Sequence, residues 1–308
     1  MTTRFACAVA LLSVATFACG DSGSSGGAGG GAPAGGDSPG AGTPGGGDPI
    51  GGGGGNELPG CEELPANPGT ENDIEVGTVT AAARDDSGGP IANISMQFCG
   101  KDFCITEMTS GVGTVAFTNT QASGTIDRPV LKPGDSLVFG KIGYQYDPAD
   151  APPLQGVFPS MTDSGAQFAL GGTVSAAGVE LTMPADGGVS FDELIYDSPE
   201  KKTFRAGRLS EADVEAATGS PDFAMVYALG PFETVFCPGA AVTFDNYANL
   251  PADSAVEFWG QVLGASEPLA GYGEWVKLGE GAVSADGETV STDAAGLEML
   301  LTIAIKAV

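Results

Sequence analysis

The chain has 308 residues, with 39 acidic, 12 basic and no histidine side chains, and a formal charge of −27. So acidic a surface repels nucleic acid and anionic headgroups, which excludes nucleic-acid binding. Without imidazole the chain lacks the usual general base, the commonest zinc ligand and every Ser–His or Cys–His catalytic arrangement. Residues 1–18 carry one charged side chain, Arg4, ahead of an apolar stretch from Phe5 to Ala18. That length suits a secretory signal of roughly 7–15 apolar residues, and falls short of the roughly 20 a membrane span needs.

Cys19, directly after Ala18 and before Gly20, resembles the lipobox of bacterial lipoproteins. Thr16 and Phe17 stand where that motif usually carries an aliphatic and then a small residue. The resemblance implies cleavage after residue 18 and lipidation of Cys19, whose thiolate is the nucleophile that reaction requires. The alternative is ordinary cleavage nearby, with Cys19 left as a free thiol. Loss of Arg4 with the leader takes the charge to −28. One diacylglycerol carries two chains and anchors stably where a single chain does not. Gly20 supplies no inner-membrane retention signal of the Asp type, so the expected location is the cell envelope, with outer membrane favoured over inner.

Residues 19–60 follow as a tether, about half glycine between 20 and 56, with Ser, Ala, Pro and Asp making up most of the rest. Such a segment buries too little surface to offset its ordering entropy. As a coil it spans on the order of 35 Å, and fully stretched about 120 Å.

From Ile74 to Tyr146 the pattern turns to short strands, giving a domain over 73–146. Ile74, Val76 and Thr78 alternate with Glu75, Gly77 and Val79, and Asp85–Pro90 forms a turn. Ile94, Met96 and Phe98 mark a strand, as do Val112–Phe117 and Ser136–Ile142, with Lys132–Asp135 as a separator. Strands at this spacing with Gly/Pro turns predict a β-sandwich. Lys101-Asp102 reads as a two-residue turn, which sets Gly100 opposite Phe103 and Cys99 opposite Cys104 at a non-hydrogen-bonded position. Cα atoms approach to about 4.5 Å there, within disulfide range. With Cys7 lost and Cys19 lipidated, Cys61 and Cys237 then pair by elimination, and no CxxC pair supports a metal site.

The run Gly77/Val79, Gly88 to Ile94 and Thr109 to Phe117 resembles the carboxypeptidase regulatory-like domain family. It implies an Ig- or transthyretin-like fold, and structural appendages without a peptidase site. Some related modules carry internal Lys–Asn bonds, but the first strand here has no lysine. Residues 147–165, with Pro148, Pro152, Pro153 and Pro159, read as a connector.

Residues 166–308 form the second predicted domain, also all-β. Its one helix signal is Ser210 as N-cap, Asp213 in capping-box position and Gly219 as a stop. Met183-Pro184 and Gly230-Pro231-Phe232 to Pro238 resemble strand starts of the ZU5-like β-domain. The tail from Phe258-Trp259 to Gly287 resembles the end of myxobacterial-type surface lipoproteins. Asp286-Gly287 is a hairpin turn signal, and Leu300–Ile305 a terminal strand.

Asp86-Ser87-Gly88-Gly89-Pro90 looks like a protease nucleophile loop but has no imidazole to serve it, so it reads as a turn. Ser198 and Lys201 fit S-x-x-K, yet Pro199 and the polar surroundings argue for a loop. Asp85/Asp86, Asp147/Asp150 and Asp245 could bind calcium in loops, but no calcium-loop pattern exists, and they read as solvated acidic loops. Phe258, Trp259, Tyr272 and Trp275 bring both tryptophans within seventeen positions. Packing is the commoner use of such residues in a β-domain, and gripping a sugar or peptide the alternative.

The expected whole is an all-β, two-domain, lipid-anchored surface protein without a catalytic site, cofactor or metal, serving a structural or protein-interaction role. The alternative is a surface glycan- or peptide-binding module using Trp259, Tyr272 and Trp275. An acid-dependent hydrolase built on two facing carboxylates is a third.

Overall fold

The computed structural model describes Gly69, residues 71–264 and residues 266–308. Of these, 46% lie in strands and 6% in helices, so the chain is all-β. Residues 1–18 and 19–60, expected as signal peptide and tether, and Cys61 lie outside the described residues.

Residues 73–157 supply nine strands: β1 (Asp73–Glu75), β2 (Thr78–Arg84), β3 (Ser95–Cys99), β4 (Cys104–Met108), β5 (Thr114–Thr118), β6 (Thr125–Asp127), β7 (Val130–Pro133), β8 (Tyr144–Gln145) and β9 (Leu154–Val157). They form a three-stranded sheet β5-β2-β9, a four-stranded sheet β4-β3-β7-β8 and the ribbon β1-β6. Period-two alternation turns Val79, Ala81 and Ala83 of β2, and Met96 and Phe98 of β3, into one core with Phe117 and Leu131. Phe98 of one sheet stacks on Phe117 of the other at 5.6 Å. This is a sandwich.

Three local expectations change. The continuous alternation from Ile74 breaks at Gly77, because β1 pairs with β6 and β2 with β5. Val76 and Val79, of opposite parity, are therefore both buried. Ser136–Ile142 is a series of turns rather than a strand. The Asp135 carboxylate accepts the Leu137 N–H at 2.8 Å and opens a local turn, and the strand forms earlier, at β7. The proline-rich stretch 147–165 supplies β9, which pairs parallel with β2, and the fully buried Phe158.

Residues 162–307 form twelve strands: β10 (Thr162–Gln167), β11 (Thr173–Ala176), β12 (Val179–Thr182), β13 (Gly188–Ser190), β14 (Thr203–Arg208), β15 (Met225–Gly230), β16 (Val235–Asp245), β17 (Ala255–Gln261), β18 (Trp275–Val283), β19 (Thr289–Thr292), β20 (Leu297–Met299) and β21 (Thr302–Ala307). One sheet runs β10-β14-β15-β21-β17-β18-β19-β16-β12-β11, with β13 and β20 also paired to β16. Its ends, β10 and β11, lie side by side, so the sheet nearly closes into a barrel. Met225, Tyr227, Phe244, Phe258, Ile303 and Ile305 fill the interior.

β15 is buried along its whole length, which is why MVYALG reads as a nearly unbroken apolar run. Its alternate residues Val226 and Ala228, with Ala304 of β21, point out of the barrel and join the core of the first sandwich. The helix α1 (Glu211–Thr218) lies beside β8, β9 and β15 and adds Val214 and Ala217 to that same core. Gly219 caps it in the left-handed region at φ 67°, where glycine carries no Cβ penalty. Ser210 is the N-cap, but its hydroxyl donates to the Asp213 carboxylate at 2.5 Å instead of accepting from the backbone. Sandwich and barrel thus share one core within one compact unit.

Candidate functional site

Of the candidate binding residues, Trp259 lies on β17, Trp275 opens β18 and Tyr272 falls in the connection between them, and these strands border the seam with the sandwich. Gln261 ends β17 inside that seam, with no exposed surface. Its Oε1 accepts the Gly143 N–H at 2.8 Å, and its Nε2 donates to the Gly143 carbonyl at 2.7 Å. The fit requires glycine at 143, since a Cβ there would lie 2.6 Å from Leu263. Beside it the buried Lys132 ammonium donates to the Tyr272 hydroxyl at 2.6 Å and to the Leu263 carbonyl at 3.3 Å. Thr302 donates to the Lys141 carbonyl at 2.7 Å, and Arg128 pairs with Glu274 at 2.5 Å. Buried polar groups matched this way join the two sheets in a single register.

The register Trp259↔Lys277 and Gln261↔Trp275 puts both tryptophans on one face of the β17–β18 pair. They do not stack on one another. Each packs on Phe223, Trp259 edge-on at 5.9 Å and Trp275 tilted at 5.8 Å. Both are half-buried and lean on the shared core. The Trp259 Nε1 donates to Glu257 at 3.1 Å, and Lys277 donates to the other oxygen of the same carboxylate at 2.8 Å. Those two bonds, Lys277 first, hold the Glu257 carboxyl below the usual carboxylate range. Tyr272 stands apart from this group, buried against Lys132. The structure therefore brings Trp259 and Trp275 together around Phe223 and leaves Tyr272 in the seam.

Cys99 and Cys104 face each other across the β3–β4 hairpin and form a disulfide, S–S 2.02 Å, with Cα atoms 4.0 Å apart. Gly100 donates to Phe103 O across the two-residue turn. Cys237 is disulfide-bonded, while Cys61 and Cys19 lie outside the described residues. Among the described residues no three acidic or thiol groups come together as a metal-holding cluster.

Ser87 sits in the expected turn, its hydroxyl donating to Asp85 at 2.6 Å, and this bond, ahead of those from backbone N–H groups, lowers the Asp85 pKa. Lys201, within a short 3-10 turn over Pro199–Lys202, pairs with Asp197 at 2.9 Å.

Sequence reasoning missed Gln261, Lys132 and Gly143. One signal for Gln261 was available: it is a lone amide within the apolar run AVEFWGQVLG, and a buried amide there needs a partner from elsewhere. The chain matches no family model, no curated protein and no solved structure.

Proposed function

We propose that this chain is a non-enzymatic, lipid-anchored protein of the cell envelope, carried on Cys19 and the glycine-rich tether, with a structural or protein-interaction role. The observation that supports it most is the seam. Gln261, Lys132, Thr302 and Arg128 are spent on joining sandwich to barrel, which makes one stiff acidic head and leaves recognition to its outer surface. Membrane fractionation tests the anchored reading. Wild type is expected with the membranes, outer in preference to inner, and Cys19→Ser in the soluble fraction. Equal partitioning of the two forms contradicts it.

A second reading, a glycan- or peptide-binding module, draws on the half-exposed placement of Trp259 and Trp275 around Phe223 on one face. Co-sedimentation with insoluble cell-wall polysaccharide separates the two readings. Binding lost in Trp275→Ala, in a variant that remains folded, supports the module. Binding unchanged in that variant removes it.

A further inference from the structure

We propose that the groove along the first half of β2 binds an extended peptide bearing a lysine or arginine, added as a short strand in the row that β9 leaves open. β9 pairs with β2 only from Ala81↔Leu154 to Arg84↔Val157. Ahead of Leu154 the chain runs through Pro152-Pro153, which have no N–H to continue a ladder. On β2, Gly77 O accepts from Asn119 and Ala83 N–H donates to Gly113, so odd-numbered residues turn their backbone groups toward β5. By alternation Thr78 turns both its backbone groups, and Thr80 its N–H, toward the opposite edge ahead of β9, while the Thr80 carbonyl already serves the Ala81↔Leu154 pairing.

That edge opens into a cavity of about 280 Å³ lined by Thr78, Thr80, Tyr146, Asp147, Asp150 and Pro152. This is near the lower end of ligand-pocket sizes, roughly 300–1,000 Å³, and suits a side chain with its flanking backbone. Tyr146 and Pro152 give it apolar walls. Among the described residues, no ion pair engages Asp147 or Asp150. An open strand edge supplies main-chain hydrogen bonds, and two carboxylates outside any ion pair, one of them accepting the Ala149 N–H at 2.8 Å, select a cationic side chain. An anionic peptide meets the same edge with repulsion.

The test uses the full secreted chain carrying Cys19→Ser, labelled with ¹⁵N and titrated with acetyl-Val-Lys-Val-Thr-amide and its Val-Glu-Val-Thr counterpart. The lysine peptide is expected to shift the Thr78 and Thr80 amides saturably, with the glutamate peptide at least tenfold weaker. Asp147→Asn with Asp150→Asn lowers the lysine peptide's affinity at least tenfold, while the rest of the spectrum keeps its dispersion. Three results overturn the proposal: no saturable shift at Thr78 and Thr80, equal binding of both peptides, or undiminished binding by the double variant.

Discussion

Replacing Gln261 with leucine isolates what holds sandwich to barrel. Leucine is similar in size and keeps the seam filled, but it leaves the N–H and C=O of buried Gly143 without partners. Each unsatisfied buried backbone group costs about 1–3 kcal/mol, so the variant is expected to lose about 2–6 kcal/mol. For a folded region of this size each kcal/mol moves Tm by about 2–4 °C, which puts the drop between about 4 and 24 °C. The assay is urea unfolding followed by tryptophan fluorescence and far-ultraviolet circular dichroism. Because Val226, Ala228 and Ala304 of the barrel lie in the sandwich core, both probes should report one coincident transition in the wild type. The control is Gln145→Ala, which removes one hydrogen bond from an exposed side chain to Gly273 O and should cost less than about 1 kcal/mol. A Gln261→Leu variant as stable as the control, or a wild type that unfolds in two separated steps, refutes the reasoning.

Phe258→Ala, at the centre of the barrel core and stacked on Phe244, is expected to lose about 3–5 kcal/mol in the same assay. Gly281→Ala places a methyl carbon 2.0 Å from Ser291 O and 2.7 Å from the Phe258 ring. It should cost about 3 kcal/mol or more, read as a lower urea midpoint. Replacing both Cys99 and Cys104 with serine opens a short loop and should cost about 2 kcal/mol, with the barrel signal retained.

Lys141 gives a pH signature. Burial lowers its pKa, against the opposing pull of Glu233 and Asp192. The folded chain therefore binds fewer protons than the unfolded one between the lowered value and 10.5, and this contribution to stability rises with pH across that window. Lys141→Met should be more stable than wild type at pH 7, with an advantage that shrinks by pH 10. An advantage that grows with pH contradicts the assignment.

The elements with strong local signals were legible from residues alone. Met96 and Phe98 alternate, Lys101-Asp102 turns tightly, and together they fixed a hairpin register that brought Cys99 to Cys104. The helix followed from Ser210 and Gly219, although the capping hydroxyl turned to Asp213. Ser136–Ile142 misled because its apolar residues serve a turn started by Asp135, a competition between side chain and ladder that hydropathy does not record. The seam was not legible. Gln261 and Gly143 are 118 positions apart; the lone amide in an apolar run signals that a partner is needed, but nothing in the sequence points to Gly143. The alternation of β15 into two cores emerges only once the sheet has closed. Trp259 and Trp275 meet around Phe223, which lies before β15 and has no sequence pattern linking it to them.

As proposed, Cys19 holds the head at the envelope; Cys99–Cys104 closes one hairpin, and Cys61–Cys237 is the expected second disulfide. Intact mass of the membrane-extracted protein, with and without reduction and beside Cys19→Ser, addresses both parts at once. The expected result is a diacylglyceryl adduct on Cys19, absent from the variant, with four hydrogens gained on reduction. An unmodified chain recovered in the soluble fraction contradicts the anchor, and a gain of only two hydrogens contradicts the second disulfide.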